Sequence, residues 1–152
     1  MNKLITWAAL SIASLIFTAT HAKAEQAEVQ GGQFQTLGDW QVHYLAFPST
    51  FVQPNIAKNY GLKRSNRTAL VNISVLANSA GNPAQHVTIS GVARNLLGNA
   101  QTLSFKEVTE GEAIYYLAQF DYYNEELYRF ELVIRQNNQE QRLNFQQKFY
   151  VD

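Results

Sequence analysis

Between Gly111 and Arg135 the chain alternates apolar and polar residues twice, on either side of the polar stretch Asp121–Glu126. Ile114, Tyr116, Ala118 and Phe120 share one parity in the first arm, and Tyr128, Phe130, Leu132 and Ile134 share one in the second. Successive side chains of a strand point to opposite faces, so each arm presents one continuous apolar face. Arg129 and Glu131 fill the opposite face of the second arm. This period of two marks half-buried antiparallel strands, and the natural reading of the two arms is a hairpin. A hairpin alone is marginal in water, so further strands must cover its apolar face.

The same alternation recurs along the chain. Trp40, Val42, Tyr44 and Ala46 make one face of a strand whose other face carries Gln41, His43, Leu45 and Phe47. Pro48 ends that strand, since it cannot donate to a ladder. Ala69, Val71, Ile73 and Val75 define the next strand, and Val87, Ile89, Gly91 and Ala93 define one from His86 to Asn95. The small Gly91 and Ala93 predict close backbone approach or a bend. Gln101–Val108 reads as one strand with Leu103 and Phe105 inward. The last strand, Gln141–Val151, points Leu143, Phe145, Gln147 and Phe149 one way. Phe34 opens a short edge strand.

Between Pro48 and Thr68 the pattern lapses. Pro54 near a start and Gly61 past an end bracket one or two helical turns, the single helix expected in the exported domain. About seven strands with turns near every ten residues predict an immunoglobulin-like antiparallel β-sandwich with one short helix; a small β-barrel is the alternative. A tyrosine just after the Gly111 turn, Tyr115, fits the corner tyrosine of such sandwiches.

The first 24 residues read differently. Met1–Lys3 is a short positive start, Leu4–Thr18 is almost wholly apolar or small, and Ala22 and Ala24 precede Glu25 at the −3 and −1 positions. That is a secretory signal peptide cut before Glu25. The apolar core of about 15 residues is short for a membrane anchor, which needs roughly 20. Residues 25–152 then form a single domain, and localisation is periplasmic. Losing Lys3 and Lys23 leaves 10 basic against 12 acidic residues, a net charge near −2. Such a balance gives no basic field for nucleic acid. No polybasic run or amphipathic helix suggests attachment to a membrane surface.

Cysteine is absent, which removes disulfides, thiolate metal sites and thiol chemistry. No serine sits in a Gly-x-Ser-x-Gly elbow, and the only histidines beyond the signal are His43 and His86. Neither a metal site nor a cofactor is expected, and the reading is not an enzyme. Chemistry that could bind a partner concentrates in Phe51–Arg67, which carries Tyr60, Lys63, Arg64 and Arg67, with His43 on the neighbouring strand. Arginine forks suit carboxylates and phosphates, and tyrosine suits interfaces. The competing reading is a structural cap at one end of the sandwich, its arginines paired with Glu107 or Glu110.

Four stretches in order, Asp39–Phe47 (DWQVHYLAF), Tyr60–Arg67 (YGLKRSNR), Gly111–Ala118 (GEAIYYLA) and Gln147–Asp152 (QKFYVD), resemble the DUF4426 family. That resemblance implies a small exported domain of a Gram-negative bacterium. It implies no activity and no site residues. Three functions are therefore weighed: a protein–protein interaction or envelope-assembly module, using the 51–67 segment or an open strand edge; a small-molecule binder with a cleft near Tyr60, Arg64 and His43; and a hydrolase of unfamiliar type.

Overall fold

A computed structural model describes residues 33–152; the expected signal peptide and its cut before Glu25 lie outside the described residues. Among the described residues, nine strands form two antiparallel sheets. They are β1 (Phe34–Leu37), β2 (Trp40–Pro48), β3 (Thr68–Ala77), β4 (Thr88–Asn95), β5 (Ala100–Ser104), β6 (Lys106–Glu110), β7 (Ala113–Asp121), β8 (Glu126–Gln136) and β9 (Gln139–Phe149). The five-stranded sheet runs β1-β2-β3-β7-β6 and the four-stranded sheet β5-β4-β8-β9. With β2, β3, β7 and β6 in the A, B, E and D positions, and β4, β8 and β9 in C, F and G, the order is that of an immunoglobulin domain. The sheets stay separate, so the sandwich holds and the barrel does not.

Two expectations fail here, and both concern partners rather than faces. The Gly111–Arg135 run is not a hairpin: β7 pairs with β3 and β6, while β8 pairs with β4 and β9. Its turn carries the chain from one sheet to the other, so the two apolar faces meet across the core instead of lying side by side. The Gln101–Val108 strand also divides. Phe105 separates β5 from β6, and the chain changes sheets at that residue. Alternation alone does not report which neighbour a strand takes, and this is why nine strands replace about seven.

The faces themselves are as expected. Trp40, Val42, Val71, Ile73, Val75, Ile114, Tyr116, Phe120, Tyr128, Phe130, Leu132, Ile134, Leu143 and Phe149 all lie in the inter-sheet core. Phe120 is its aromatic hub, with ring centroids 5.0 Å from Tyr128 and 5.4 Å from Phe130 and Phe149. Gly91 is the predicted close approach: a Cβ there would stand 2.2 Å from the Glu131 carbonyl oxygen and 2.6 Å from Leu132 Cδ2. The corner tyrosine is Tyr128 at the start of β8, not Tyr115. Its hydroxyl donates to the Glu126 carboxylate, and the Tyr123 backbone N–H also reaches it.

Between β2 and β3 the chain makes a 3-10 turn (Ser49–Phe51) and one helix, α1 (Pro54–Asn59). This segment does not cap the end of the sandwich. It lies on the outer face of the five-stranded sheet, where Val52, Ala57, Phe51, Ile56, Tyr60 and Leu62 pack on Leu45, Phe47, Leu70, Val108, Tyr115 and Leu117. Leu45 and Phe47, on the face of β2 that also carries Gln41 and His43, are apolar because this second, smaller core needs them.

Candidate functional site

Three of the five candidate residues hold this cover in place. Arg64 donates through Nε to the Val52 carbonyl at 2.7 Å and through Nη2 to the Thr50 carbonyl at 3.0 Å. It therefore bonds backbone within its own segment and not Glu107 or Glu110. Lys63 is held by its backbone: its N–H donates to Gln119 Oε1 at 3.0 Å, and its carbonyl accepts from Gln119 Nε2 at 2.8 Å. That side-chain amide stands in for a paired strand. The Tyr60 carbonyl accepts from Lys106 Nζ at 3.2 Å. Ser49 Oγ completes the clasp, donating to the Ser65 carbonyl and accepting from the Ser65 N–H, both at 3.0 Å.

Arg67 is exposed and leads into β3, and its carbonyl accepts from the Tyr122 N–H at 2.9 Å. His43 lies mid-strand opposite Ser74, with its ring 5.2 Å from that of Phe34. It does not converge with Arg64, which sits beyond the far end of β2 against Thr50 and Val52. Burial lowers the His43 pKa and favours the neutral ring. His43 Nε2 and Asn72 Oδ1 are both buried without a hydrogen-bond partner among the described residues. Asn72 pairs in register with Leu45 and Leu117, so it is a polar residue set in the apolar outer face. Nearby, burial pushes the Tyr115 hydroxyl up to about 12, with the Glu110 carboxylate and Tyr60 adding to it.

The sequence reading passed over two constellations. The first joins His86, Glu107 and Tyr116. The Tyr116 hydroxyl accepts from the Val87 N–H and donates to Glu107 Oε1, each at 2.8 Å, and His86 Nδ1 meets the same carboxylate oxygen at 2.8 Å. These hydrogen bonds, from His86 first and Tyr116 second, lower the Glu107 pKa. The cluster spans the 30 residues from His86 to Tyr116, and no local motif announces it.

The second is an apolar end. Asn95 pairs with Tyr128, and Glu126 with Phe149, which brings the β4–β5 tip, the β7–β8 turn and the end of β9 to one edge of the sandwich. Leu96 is 66% exposed there, Leu97 85%, Tyr123 63% and Tyr150 53%. Tyr122, beside Tyr123, is buried against Phe149. The signal in the sequence was the pair Leu96-Leu97 between Asn95 and Gly98, which fits neither strand periodicity nor a polar turn.

Three of the four edge strands are short. β1, β5 and β6 are four or five residues long. The longer β9 has its Asn144 carbonyl taken by Gln35 Nε2 at 3.2 Å and its Lys148 carbonyl by Gln147 Nε2 at 2.9 Å. Short edges resist pairing with another chain, and β9 is the longest edge that could take a strand. Among the described residues, no group of three or more His, Asp or Glu side chains is placed to hold a metal ion.

Fold and surfaces together define a small immunoglobulin-like sandwich with a clasped outer cover and one apolar end. The chain belongs to the DUF4426 family, a domain of unknown function whose pattern matches residues 34–152. It is similar to the crystal structure of a DUF4426 family protein from Pseudomonas aeruginosa PAO1, with 34% identity and a TM-score of 0.71 over 81% of this chain and 98% of that one. A copper-bound variant of FetP from uropathogenic Escherichia coli strain F11 shares the fold, with 15% identity and a TM-score of 0.52 over 78% and 88% of the two chains. No curated protein matches the chain.

Proposed function

We propose that this protein is an exported, non-catalytic interaction module of the cell envelope, released into the periplasm by cleavage before Glu25, and that it docks through its apolar end. The observation that carries the reading is the gathering of Leu96, Leu97, Tyr123 and Tyr150 on adjoining connections, all more than half exposed. Exposed apolar clusters on a folded domain mark places where something else sits. The shortness of β1, β5 and β6 favours this end over strand addition at those edges, and the clasp bonds of Arg64 favour it over the 51–67 segment. A photo-crosslinking residue at Leu97, introduced in living cells, is expected to give specific adducts. The same residue at Asn138, in the β8–β9 turn at the opposite end, is expected to give none. Equal labelling at both positions would remove the reading.

The orphaned Asn72 Oδ1, an acceptor, and His43 Nε2, which accepts in one tautomer, favour a second reading, a small molecule bearing N–H or O–H donors on the outer face. Buried acceptors without partners are costly, and a donor ligand relieves that cost. A chemical-shift screen of small amines and polyols should then find saturable changes confined to those two side chains. Changes absent throughout, or equally present in Asn72→Leu, would exclude it.

A further inference from the structure

We propose that the partner at the apolar end is a phospholipid surface, into whose interfacial region the Leu96–Leu97 tip inserts. This rests on reading that end as the docking surface and adds what it docks to. The tip is closed on itself. Asn95 Oδ1 accepts from the Leu97 N–H at 3.1 Å and the Asn99 N–H at 3.0 Å, and the Asn95 carbonyl accepts from the Gly98 N–H at 3.0 Å. The Asn95 N–H donates to the Asn99 carbonyl at 3.0 Å, and Arg94 Nη1 donates to the Gly98 carbonyl at 3.1 Å. A backbone entering lipid must satisfy its polar groups internally, because hydrocarbon offers no partner. Every N–H from Leu97 to Asn99 meets that requirement, whereas the Leu96 N–H and the Leu96 and Leu97 carbonyls have no such bond among the described residues, so the tip suits the hydrated interface rather than the hydrocarbon core.

The same bonds fix the backbone of the tip, and from it Leu96 and Leu97 stand 66% and 85% exposed. Two adjacent leucines on a protruding hairpin make a convex wedge, whereas protein hot spots favour Trp, Tyr and Arg in matched pockets and are poor in Leu. Behind the wedge, Tyr123 and Tyr150 are exposed on neighbouring connections. Tyrosine rings suit the headgroup level, with an apolar body and a polar tip. Among the charges at this end, Asp121, Glu125, Glu126 and Asp152 are balanced by Arg67, Arg94, Arg129 and Lys148. Anionic lipid therefore adds no attraction, and insertion supplies the affinity. Two leucines give reversible docking, comparable in kind to a single short acyl chain.

The test uses the exported protein purified from the periplasm and vesicles of phosphatidylcholine and phosphatidylethanolamine. Cosedimentation should detect binding, and phosphatidylglycerol should not strengthen it at low salt. The Leu96→Ser/Leu97→Ser double variant should melt as the parent does and partition at least about tenfold more weakly. A Leu97→Trp reporter should shift its emission to the blue on vesicle addition, against the constant signal of buried Trp40. No binding and no blue shift overturn the proposal, as does binding that survives the double variant or requires phosphatidylglycerol. If vesicles fail while the Leu97 crosslinker captures a single protein, the lipid inference falls and the docking end stands. If both fail, both readings fall.

Discussion

The hydroxyl of Tyr116 lies 2.8 Å from Glu107 Oε1 and also accepts the Val87 N–H at 2.8 Å. Tyr116 thus joins β7 to edge strand β6 and to the crossing that enters β4. Tyr116→Phe keeps the ring in the core and removes one oxygen, which leaves the Val87 N–H without its acceptor. The expected loss is about 1–3 kcal/mol, read from urea unfolding. An unchanged midpoint would show that water replaces the hydroxyl at no cost.

Acid should loosen the same contact. The folded Glu107 pKa lies below its ordinary value, so its contribution is present above the unfolded carboxylate pKa and is lost as pH falls through the folded one. The side chain is substantially exposed, so the effect is small. Glu107→Gln should flatten the parent's stability between about pH 5 and pH 3, where carboxylates of this kind titrate. Identical acid profiles would assign that slope to other carboxylates.

At the alkaline end the sign reverses. Burial raises the Tyr115 and Tyr116 hydroxyls to about 12 from the ordinary 10.0. Their stabilising effect is full below the unfolded value and is lost as pH climbs through the folded value. Tyrosinate absorbance should therefore rise together with loss of the fold between pH 10 and about 12. Ionisation of all tyrosines near 10 in the intact protein would contradict the burial.

Arg64 was a candidate ligand in the sequence and is a clasp in the fold. Arg64→Ala should cost about 1–2 kcal/mol through loss of bonds to the Thr50 and Val52 carbonyls. Arg64→Lys should recover little, since one ammonium does not reproduce the two-pronged fork. Hydrogen exchange should quicken in residues 52–62 and stay unchanged in β8. An alanine variant with native stability and exchange would return Arg64 to the pool of surface ligands.

Gly91→Ala tests the closeness of β4 and β8. The added Cβ meets backbone at Glu131, which cannot swing aside, so the ladder must shift. A loss of about 3 kcal/mol is expected from denaturant unfolding, at the upper end for overpacking. A loss below about 0.5 kcal/mol, within the range of surface substitutions, would mean that the sheet opens there freely.

Much of the fold was legible because burial imposes a period of two on each strand independently. Val42, Val71, Phe130 and Leu143 could be assigned inward without knowing any neighbour. The Gly91 contact was legible for the related reason that only a missing side chain permits it. The apolar end was not read from the sequence: Leu96 and Leu97 depart from strand periodicity, but nothing local says that Tyr123 and Tyr150 join them. The Tyr116–Glu107–His86 contact was not visible at all, since its members are ordinary residues until the sheets meet.

By itself the sequence determined the class of fold, the inward face of each strand and the places where the chain must turn, because these follow from the alternation of side chains about one backbone. Only the tertiary structure decided that β7 and β8 belong to different sheets, that residues 49–62 lie on a sheet face, and that Arg64 bonds its own segment. Pairing and crossing depend on contacts between residues far apart in the chain, and those contacts are fixed by closing the whole core rather than by any stretch of it.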